Sequence, residues 1–130
     1  SFSAEAAKAA AEGDEAALLA WLNSGGRVNA TCETGDANGL TLLMLSAQGG
    51  HERVVELLLR HGAKANLQNS EGGTALIDAA FKGHERVVEL LIWRGAEVNL
   101  RDSSGYTALM NAAFFNHPAV VRRLLRAGAD

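Results

Sequence analysis

Apolar and small residues recur at helical spacing in the middle of this chain, in a segment that begins at a threonine and ends at a glycine. Thr74 has the side chain of a helix N-cap, and Gly83 is the residue type that most readily ends a helix in the left-handed conformation. Between them the face expected to be buried is formed by Leu76, Ala79 and Ala80. The pattern predicts a short helix whose alanines let a neighbouring helix approach closely.

A second amphipathic helix is predicted immediately afterwards, from about Glu85 to Arg94, with Gly95 as its stop. Its charged residues are expected to face water, and its buried face is formed by Val87, Val88, Leu90 and Leu91. The two helices make a helix-turn-helix unit, which is too small to bury its own apolar face.

That unit is repeated along the chain with a period of 33 residues. The same interval separates the members of three sets of identical residues: Thr41, Thr74 and Thr107; Gly39, Gly72 and Gly105; His51, His84 and His117. A period of this length is typical of a solenoid, in which one supersecondary unit is copied along an axis and is stable only against its neighbours. We therefore expect a binding surface rather than a catalytic pocket.

The most complete copy of the unit contains a recognisable sequence motif. It reads Gly72-Gly73-Thr74-Ala75-Leu76, then Asp78-Ala79-Ala80, Gly83-His84, Val87-Val88-Glu89-Leu90-Leu91 and Gly95-Ala96-Glu97-Val98-Asn99. This motif resembles the ankyrin repeat, and the resemblance extends over nearly the whole chain. The family's Thr-Pro-Leu-His opening is altered in every copy, but a proline in the first helical turn is replaceable. The resemblance implies an all-α repeat solenoid, an ankyrin-type stack of helix-turn-helix units with projecting hairpin fingers.

The chain is expected to form one domain, residues 1–130, in four parts. Residues 1–38 are expected to be an amino-terminal cap with an extended finger, residues 39–71 and 72–104 two full repeats, and residues 105–130 a last, incomplete repeat. In the last copy Asn116 replaces the helix-ending glycine, and asparagine is the next best tolerated residue there.

The two ends of the array differ from its middle. The first finger carries extra residues within Ala30 to Asn38, and this longer, acidic segment is expected to be a loop used, if at all, for contact. The chain stops at Asp130, where another finger would begin, so we expect a fragment of a longer protein. Arg123, which stands in the place of a leucine in the other copies, could instead mark the polar outside of a terminal repeat.

Composition and charge exclude several classes of partner. The chain has 12 Lys plus Arg against 15 Asp plus Glu, a formal net charge of −3, so it has no general attraction to nucleic acid or to anionic lipid. No apolar run approaches the roughly 20 residues that a membrane helix needs. With a single cysteine and no secretion signal, we expect an intracellular, cytoplasmic protein that is a monomer by itself.

The residues that could carry out chemistry are each better explained by a structural or binding role than by catalysis or metal binding. The three periodic histidines are expected to lie on helices roughly 8 to 10 Å apart, too far to share a zinc ion, and are assigned to capping or hydrogen bonding. Cys32 is expected on an exposed loop without a neighbouring base. Asp78 and Asn111 occupy equivalent places as isolated polar groups, which favours recognition over acid–base catalysis. We expect no catalytic residues, metal or cofactor.

Aromatic residues are concentrated in the last two copies, where the stack does not require them. Phe2 and Trp21 belong to the cap, Trp21 at the core position of Leu58, whereas the others are Phe81, Trp93, Tyr106, Phe114 and Phe115. Phe81 and Phe114 either pad the helices as partly buried core or line a groove. Clustered exposed aromatics are typical of interaction hot spots. Trp93 should lie on the other side, at the end of a second helix.

These observations predict a non-enzymatic protein-interaction module. By resemblance, a protein or peptide is expected to bind the concave face of the first helices and the fingers. The expected binding residues are Leu45, Gln48, Asp78, Phe81, Lys82, Tyr106, Asn111, Phe114 and Phe115. Aromatics at freely variable positions fit a natural domain fragment and an engineered binder equally well.

Two alternatives come from the same resemblance. The first is a substrate of an asparaginyl hydroxylase, which would act on the finger asparagines Asn66 and Asn99, with Asn29 in the matching place. Leu58 and Leu91 lie eight residues ahead of the first two. The second is a regulatory ankyrin domain of a larger enzyme or channel.

Overall fold

The computed structural model describes residues 4–34 and 37–130, which form paired helices and one strand hairpin. Phe2 and the finger tip at Gly35 and Asp36, which the sequence assigned to the cap and to the first finger, lie outside the described residues. The elements in chain order are α1 (Ala4–Glu12), α2 (Glu15–Asn23), β1 (Thr31–Thr34), β2 (Ala37–Thr41), α3 (Leu42–Gly49), α4 (Glu52–Arg60), α5 (Ala75–Lys82), α6 (Glu85–Trp93), α7 (Ala108–Phe114) and α8 (Pro118–Arg126).

The helices stack in two layers. The first helices of the pairs, α1, α3, α5 and α7, contact one another in sequence and are called here the inner helices. The second helices, α2, α4, α6 and α8, form the outer layer in the same order. Each inner helix also packs on the outer helix that follows it. The predicted all-α repeat solenoid is confirmed.

Repeated threonines begin three of the inner helices. The hydroxyl oxygens of Thr41, Thr74 and Thr107 accept hydrogen bonds from the backbone N–H three residues later, at 3.1, 3.1 and 3.2 Å. Each bond satisfies an amide that has no partner within the helix, and this capping is typically worth about 1 kcal/mol. The three threonines are themselves buried.

Left-handed residues end the inner helices, as the sequence predicts. Gly50 and Gly83 have φ angles of 71° and 78° at these ends. Asn116 takes the same place in the last copy with a φ of 59°. Asparagine tolerates this conformation because its short polar side chain can bond locally.

The core is divided between successive layers of the stack rather than gathered at one centre. Val87, Val88 and Leu91 are buried as predicted, but Leu90 is only half-buried. Trp21, which the sequence matched to the core position of Leu58, packs against the core but is only half-buried, whereas Leu58 is 0% exposed. The indole of Trp21 lies against Gly26, where a Cβ would come within 2.4 Å of the ring.

The first finger is a two-stranded antiparallel hairpin and not a loop. Thr31 pairs with Thr41 and Cys32 with Leu40, and a bulge follows Cys32. Cys32 is therefore half-buried in a strand, which corrects the expectation that its thiol is exposed on a loop.

Neighbouring fingers are joined by backbone hydrogen bonds. The N–H of Ser70 donates to the carbonyl of Asn38, and the N–H of Ser103 donates to that of Glu71, both at 2.9 Å. The fingers therefore form one continuous edge along the stack.

Candidate functional site

The expected binding residues occupy two environments on the inner helices and the finger base. Leu45, Gln48, Asp78 and Asn111 are half-buried between neighbouring helices. The remaining members of the set are exposed: Phe81, Lys82, Tyr106, Phe114 and Phe115.

Three phenylalanines form a continuous surface cluster across α5 and the end of α7. The ring centroids of Phe81 and Phe115 are 4.3 Å apart, and those of Phe114 and Phe115 are 4.9 Å apart, both with edge-to-face geometry. Phe81, Phe114 and Phe115, called here the aromatic cluster, are 40%, 81% and 43% exposed. The interpretation as core padding is therefore wrong for Phe114, whereas Phe81 is partly buried and its ring contacts Phe115.

A positive charge lies beside this cluster. The Nζ of Lys82 is 5.6 Å from the centroid of the Phe81 ring, within cation–π range. Because Lys82 is exposed, its ammonium group is also available to a carboxylate on a partner.

Asp78 is not the isolated polar group that the sequence suggested. Its Oδ2 accepts a hydrogen bond of 3.2 Å from the Nε2 of Gln48 on the neighbouring helix. Burial raises the pKa of Asp78 to about 6, although the Gln48 bond and the nearby charge of Lys82 act in the opposite direction. This interhelical pair was missed because Gln48 and Asp78 are far apart in sequence.

Asn111 and Tyr106 are not joined to that pair. The Nδ2 of Asn111 donates to the carbonyl of Thr107 on its own helix, at 3.1 Å. Tyr106 lies at the finger base with a side chain that is 54% exposed, and among the described residues its ring has no aromatic contact. Its backbone N–H donates to Oδ1 of Asp102, which fixes the turn.

The periodic histidines connect the start of each outer helix from α4 onwards to the inner helix of the preceding copy. The Nε2 of His51, His84 and His117 donates to the carbonyls of Ala11, Gln48 and Phe81 at 2.8, 2.9 and 2.9 Å. Since a carbonyl only accepts, Nε2 carries a proton in each case. The expected hydrogen-bonding role is confirmed, and two of these bonds hold the helix turns that carry Gln48 and Phe81.

The finger asparagines also connect neighbouring copies. Asn66 donates from Nδ2 to the carbonyl of Gly95, and its Oδ1 accepts from the N–H of Glu97. Asn29 makes the matching pair of bonds with Gly62 and Lys64. Asn99 accepts from the N–H of Asp130 at 3.0 Å. These side chains hold successive fingers at a fixed spacing.

The outer helices present a different surface. An open groove of about 1140 Å³ runs between them, and Trp93 at its margin is 82% exposed. Arg123 crosses to α6, with nitrogens 3.3 Å from Glu85 Oε1 and 3.4 Å from Glu89 Oε2. In the place where the earlier copies have a leucine, Arg123 thus forms ion pairs with the preceding copy.

Within the described ranges 4–34 and 37–130, no group of His, Cys, Asp and Glu side chains could hold a metal ion. The helices described in those ranges are all too short to cross a bilayer.

Comparison with known proteins gives one consistent result. The family described as "Ankyrin repeats (3 copies)" matches residues 6–102, and the family described as "Ankyrin repeat" matches residues 104–130. No curated protein matches the chain in sequence.

Proposed function

Because the chain belongs to the ankyrin repeat family, whose repeats bind protein partners, we propose that it is a non-enzymatic binding module. It binds a protein or peptide across its concave inner-helix face. The observation that carries this proposal is the aromatic cluster, three rings in mutual contact at the surface. Aromatic side chains, phenylalanine among them, are enriched in the buried centres of protein interfaces.

The surroundings of the cluster suit the recognition of a peptide segment. Lys82 adds a positive charge beside Phe81, and the Gln48–Asp78 pair adds a polar group on the neighbouring helix. A partner with an apolar anchor and a nearby acidic group would be complementary to both features. Tyr106, at the finger base, would extend the contact towards the fingers.

The experiment is to isolate a partner by affinity purification with mass spectrometry, and then to titrate it against single alanine variants. Phe115→Ala and Tyr106→Ala should each weaken binding by about 2 kcal/mol, as expected for a hot spot. Trp93→Ala is the control, because Trp93 is an exposed aromatic side chain that lies on the outer helices instead. The site would instead lie on the outer groove if the double variant Phe115→Ala, Tyr106→Ala binds the partner fully and Trp93→Ala does not.

Hydroxylation of Asn66 or Asn99 is the weaker proposal. Both side-chain groups of Asn66 are already hydrogen-bonded, and Leu58 and Leu91 are 0% exposed. A hydroxylase would have to detach the finger first. A regulatory role within a larger enzyme or channel would use the same inner-helix surface.

A further inference from the structure

Asp78 lies in the middle of the stack, on a helix that has neighbours on both sides. Its helix α5 packs between α3 and α7, so the surroundings of this side chain do not depend on where the chain ends. The matching residues are Leu45 in the preceding copy and Asn111 in the following one. Because this position also accepts a leucine or an amide, the stack does not require a carboxylate there.

The Asp78 carboxylate has fewer hydrogen-bond partners than it can accept. An ionised carboxylate offers about four acceptor sites on its two oxygens. Among the residues that the structure describes, this one accepts a single bond, from Gln48 Nε2 to Oδ2 at 3.2 Å, and forms no ion pair. The ammonium group of Lys82 lies over the ring of Phe81 instead. Since Asp78 is only half-buried, a partner can still reach its remaining acceptor sites.

Aromatic rings lie beside this carboxylate. Phe81 follows Asp78 by three positions, and side chains three apart are neighbours on a helix surface. The Phe81 ring is 40% exposed, and its centroid lies 4.3 Å from that of Phe115 on the neighbouring copy. A cation can therefore bond to the carboxylate and contact the face of a ring at the same time.

The guanidinium group of arginine fits this combination better than an ammonium group does. It is planar, stacks on aromatic rings and presents its N–H groups as a fork that suits two acceptors. Oδ1 of Asp78 and Oε1 of Gln48 accept no hydrogen bond from any described residue, and they belong to side chains that are bonded to each other. The ammonium group of lysine is more strongly hydrated, so it loses more on partial burial.

We propose that the Asp78 carboxylate, the Gln48 amide and the Phe81 ring together bind an arginine side chain of the partner protein. This inference rests on the proposed function, because it names the chemistry of the partner at the same surface. The acidic group that meets Lys82 must then lie close to this arginine in the partner, since side chains four apart on a helix have Cβ atoms about 5 to 6 Å from each other.

Protonation of Asp78 removes this attraction, so binding of the arginine depends on pH. Burial raises the pKa of the Asp78 carboxyl to about 6, against the effects of Gln48 and Lys82. The helices α3 and α7 on either side contain no titratable residue, and α6 begins beside His84, which bonds to the carbonyl of Gln48. The charged residues of α6 pair with α4 and α8 instead: Glu85, Arg86 and Glu89.

Three small probes test this proposal on the intact protein by ¹⁵N NMR titration: the Nα-acetyl amides of arginine, citrulline and lysine. Citrulline has nearly the shape of arginine but carries a neutral urea group. Near pH 7.5 the arginine probe should bind about tenfold more tightly than the citrulline probe, because a hydrogen bond between two charged groups is the stronger kind. The lysine probe should bind less tightly than the arginine probe. Amide shifts should centre on α3 and α5.

Lowering the pH separates the carboxylate from other causes. Near pH 5 the arginine probe should bind about tenfold more weakly than near pH 7.5, because only about a tenth of the Asp78 carboxyls are then ionised. The citrulline probe should bind equally at both values. It therefore controls for any change that the titration of His84 makes in the surface itself.

Three variants identify the groups involved, with circular dichroism confirming that each is folded. Asp78→Asn should lower the affinity of the arginine probe to that of citrulline and abolish its pH dependence. Phe81→Leu should weaken the arginine probe severalfold and leave the pH dependence in place. Glu97→Gln is the control, since it removes the same charge from an exposed side chain outside the site.

The proposal is overturned by equal affinity for the arginine and citrulline probes, by tighter binding of the lysine probe, or by a preference for arginine that survives Asp78→Asn. These outcomes concern the arginine alone. The proposed function fails separately, if the isolated partner binds fully to the variant Phe115→Ala, Tyr106→Ala.

Discussion

Single glycines in this chain are required by the side chains of the next copy. A Cβ on Gly50 would lie 2.7 Å from Nδ1 of His84, and one on Gly83 would lie 2.5 Å from Nδ1 of His117. The same histidines donate from Nε2 to a carbonyl on the inner helix of the preceding copy. The glycine therefore ends the helix and also makes room for the ring. Asn116, in the matching position of the last copy, has a φ of 59° and so meets the first requirement.

Replacing Gly83 by alanine should separate these two requirements. Gly95 is the matched control, since its φ is +92° and nothing lies within 4 Å of an added Cβ. We expect Gly95→Ala to lower the free energy of unfolding by about 1 kcal/mol through backbone strain, and Gly83→Ala by about 3 kcal/mol because the clash with His117 adds to it. Urea denaturation measures both.

The control for this interpretation is a double-mutant cycle with His117→Ala. Once the ring is absent, Gly83→Ala should cost only as much as Gly95→Ala. Equal losses for Gly83→Ala and Gly95→Ala in the wild-type background would contradict the packing role of His117.

Asp78 should make the stability of the protein depend on pH. Burial raises the pKa of its carboxyl from 3.8 to about 6, so between these values the folded protein holds a proton that the unfolded chain has lost. The free energy of unfolding therefore falls as the pH rises from about 4 to about 6, and the ionised carboxylate is a net cost at neutral pH.

Asp78→Asn should remove that cost. We expect it to stabilise the protein by about 3 kcal/mol at pH 7 and to have little effect near pH 4, since one pKa unit corresponds to about 1.4 kcal/mol. Glu97→Gln, on an exposed side chain, is the control and should change neither value. Destabilisation by Asp78→Asn at pH 7 would show that Gln48 and Lys82 outweigh the burial of the charge.

At the scale of helices and fingers, the sequence predicts those features that depend on the spacing of residues close together in the chain. Thr74 and Gly83 mark the ends of α5 because capping and left-handed stops act within one turn. The Gln48–Asp78 bond and the Arg123 ion pairs could not be predicted in the same way, since they join residues that only the stacking of helices brings together. Phe81 and Phe114 remained ambiguous for that reason.

The first finger shows the same limit. Its excess length was evident, but the pairing of Cys32 with Leu40 depends on the return strand and on the bulge between them. An unpaired acidic loop and a paired hairpin add the same number of residues to the finger. Only the register in which the two strands pair distinguishes them.

Shortening the first finger at its tip should be tolerated. Deletion of residues 33–36 leaves the pairs Thr31–Thr41 and Cys32–Leu40 intact, and closure of a flexible loop depends only weakly on its length. We expect the midpoint of thermal unfolding to change by an amount equivalent to less than about 1 kcal/mol. The control deletion, residues 30–33, has the same length but removes both pairs and should be clearly more destabilising. Equal effects would show that the strand pairing contributes nothing to stability.

At the scale of the whole molecule, the copies are held together by contacts that recur with the repeat. Histidine-to-carbonyl bonds, asparagine clips and glutamate–arginine pairs all connect one copy to the next. Because the histidine and asparagine bonds join matching positions, a complete copy can be removed without leaving these contacts unmatched. The array should therefore behave as a linear chain of nearest-neighbour interactions.

Deletion of residues 72–104 tests this expectation, because it places α7 and α8 directly on α3 and α4. In the shortened protein His117 would donate to the carbonyl of Gln48, beside Gly50, and Arg123 would meet Glu52 and Glu56 in place of Glu85 and Glu89. We expect a cooperatively folded, less stable protein whose urea m-value is lower by about a quarter, because the m-value follows the surface exposed on unfolding. Deletion of residues 72–87 removes half a copy, leaves these partners out of phase, and should give an unfolded chain by circular dichroism. A folded half-copy deletion beside an unfolded full-copy deletion would show that the 33-residue register is wrong.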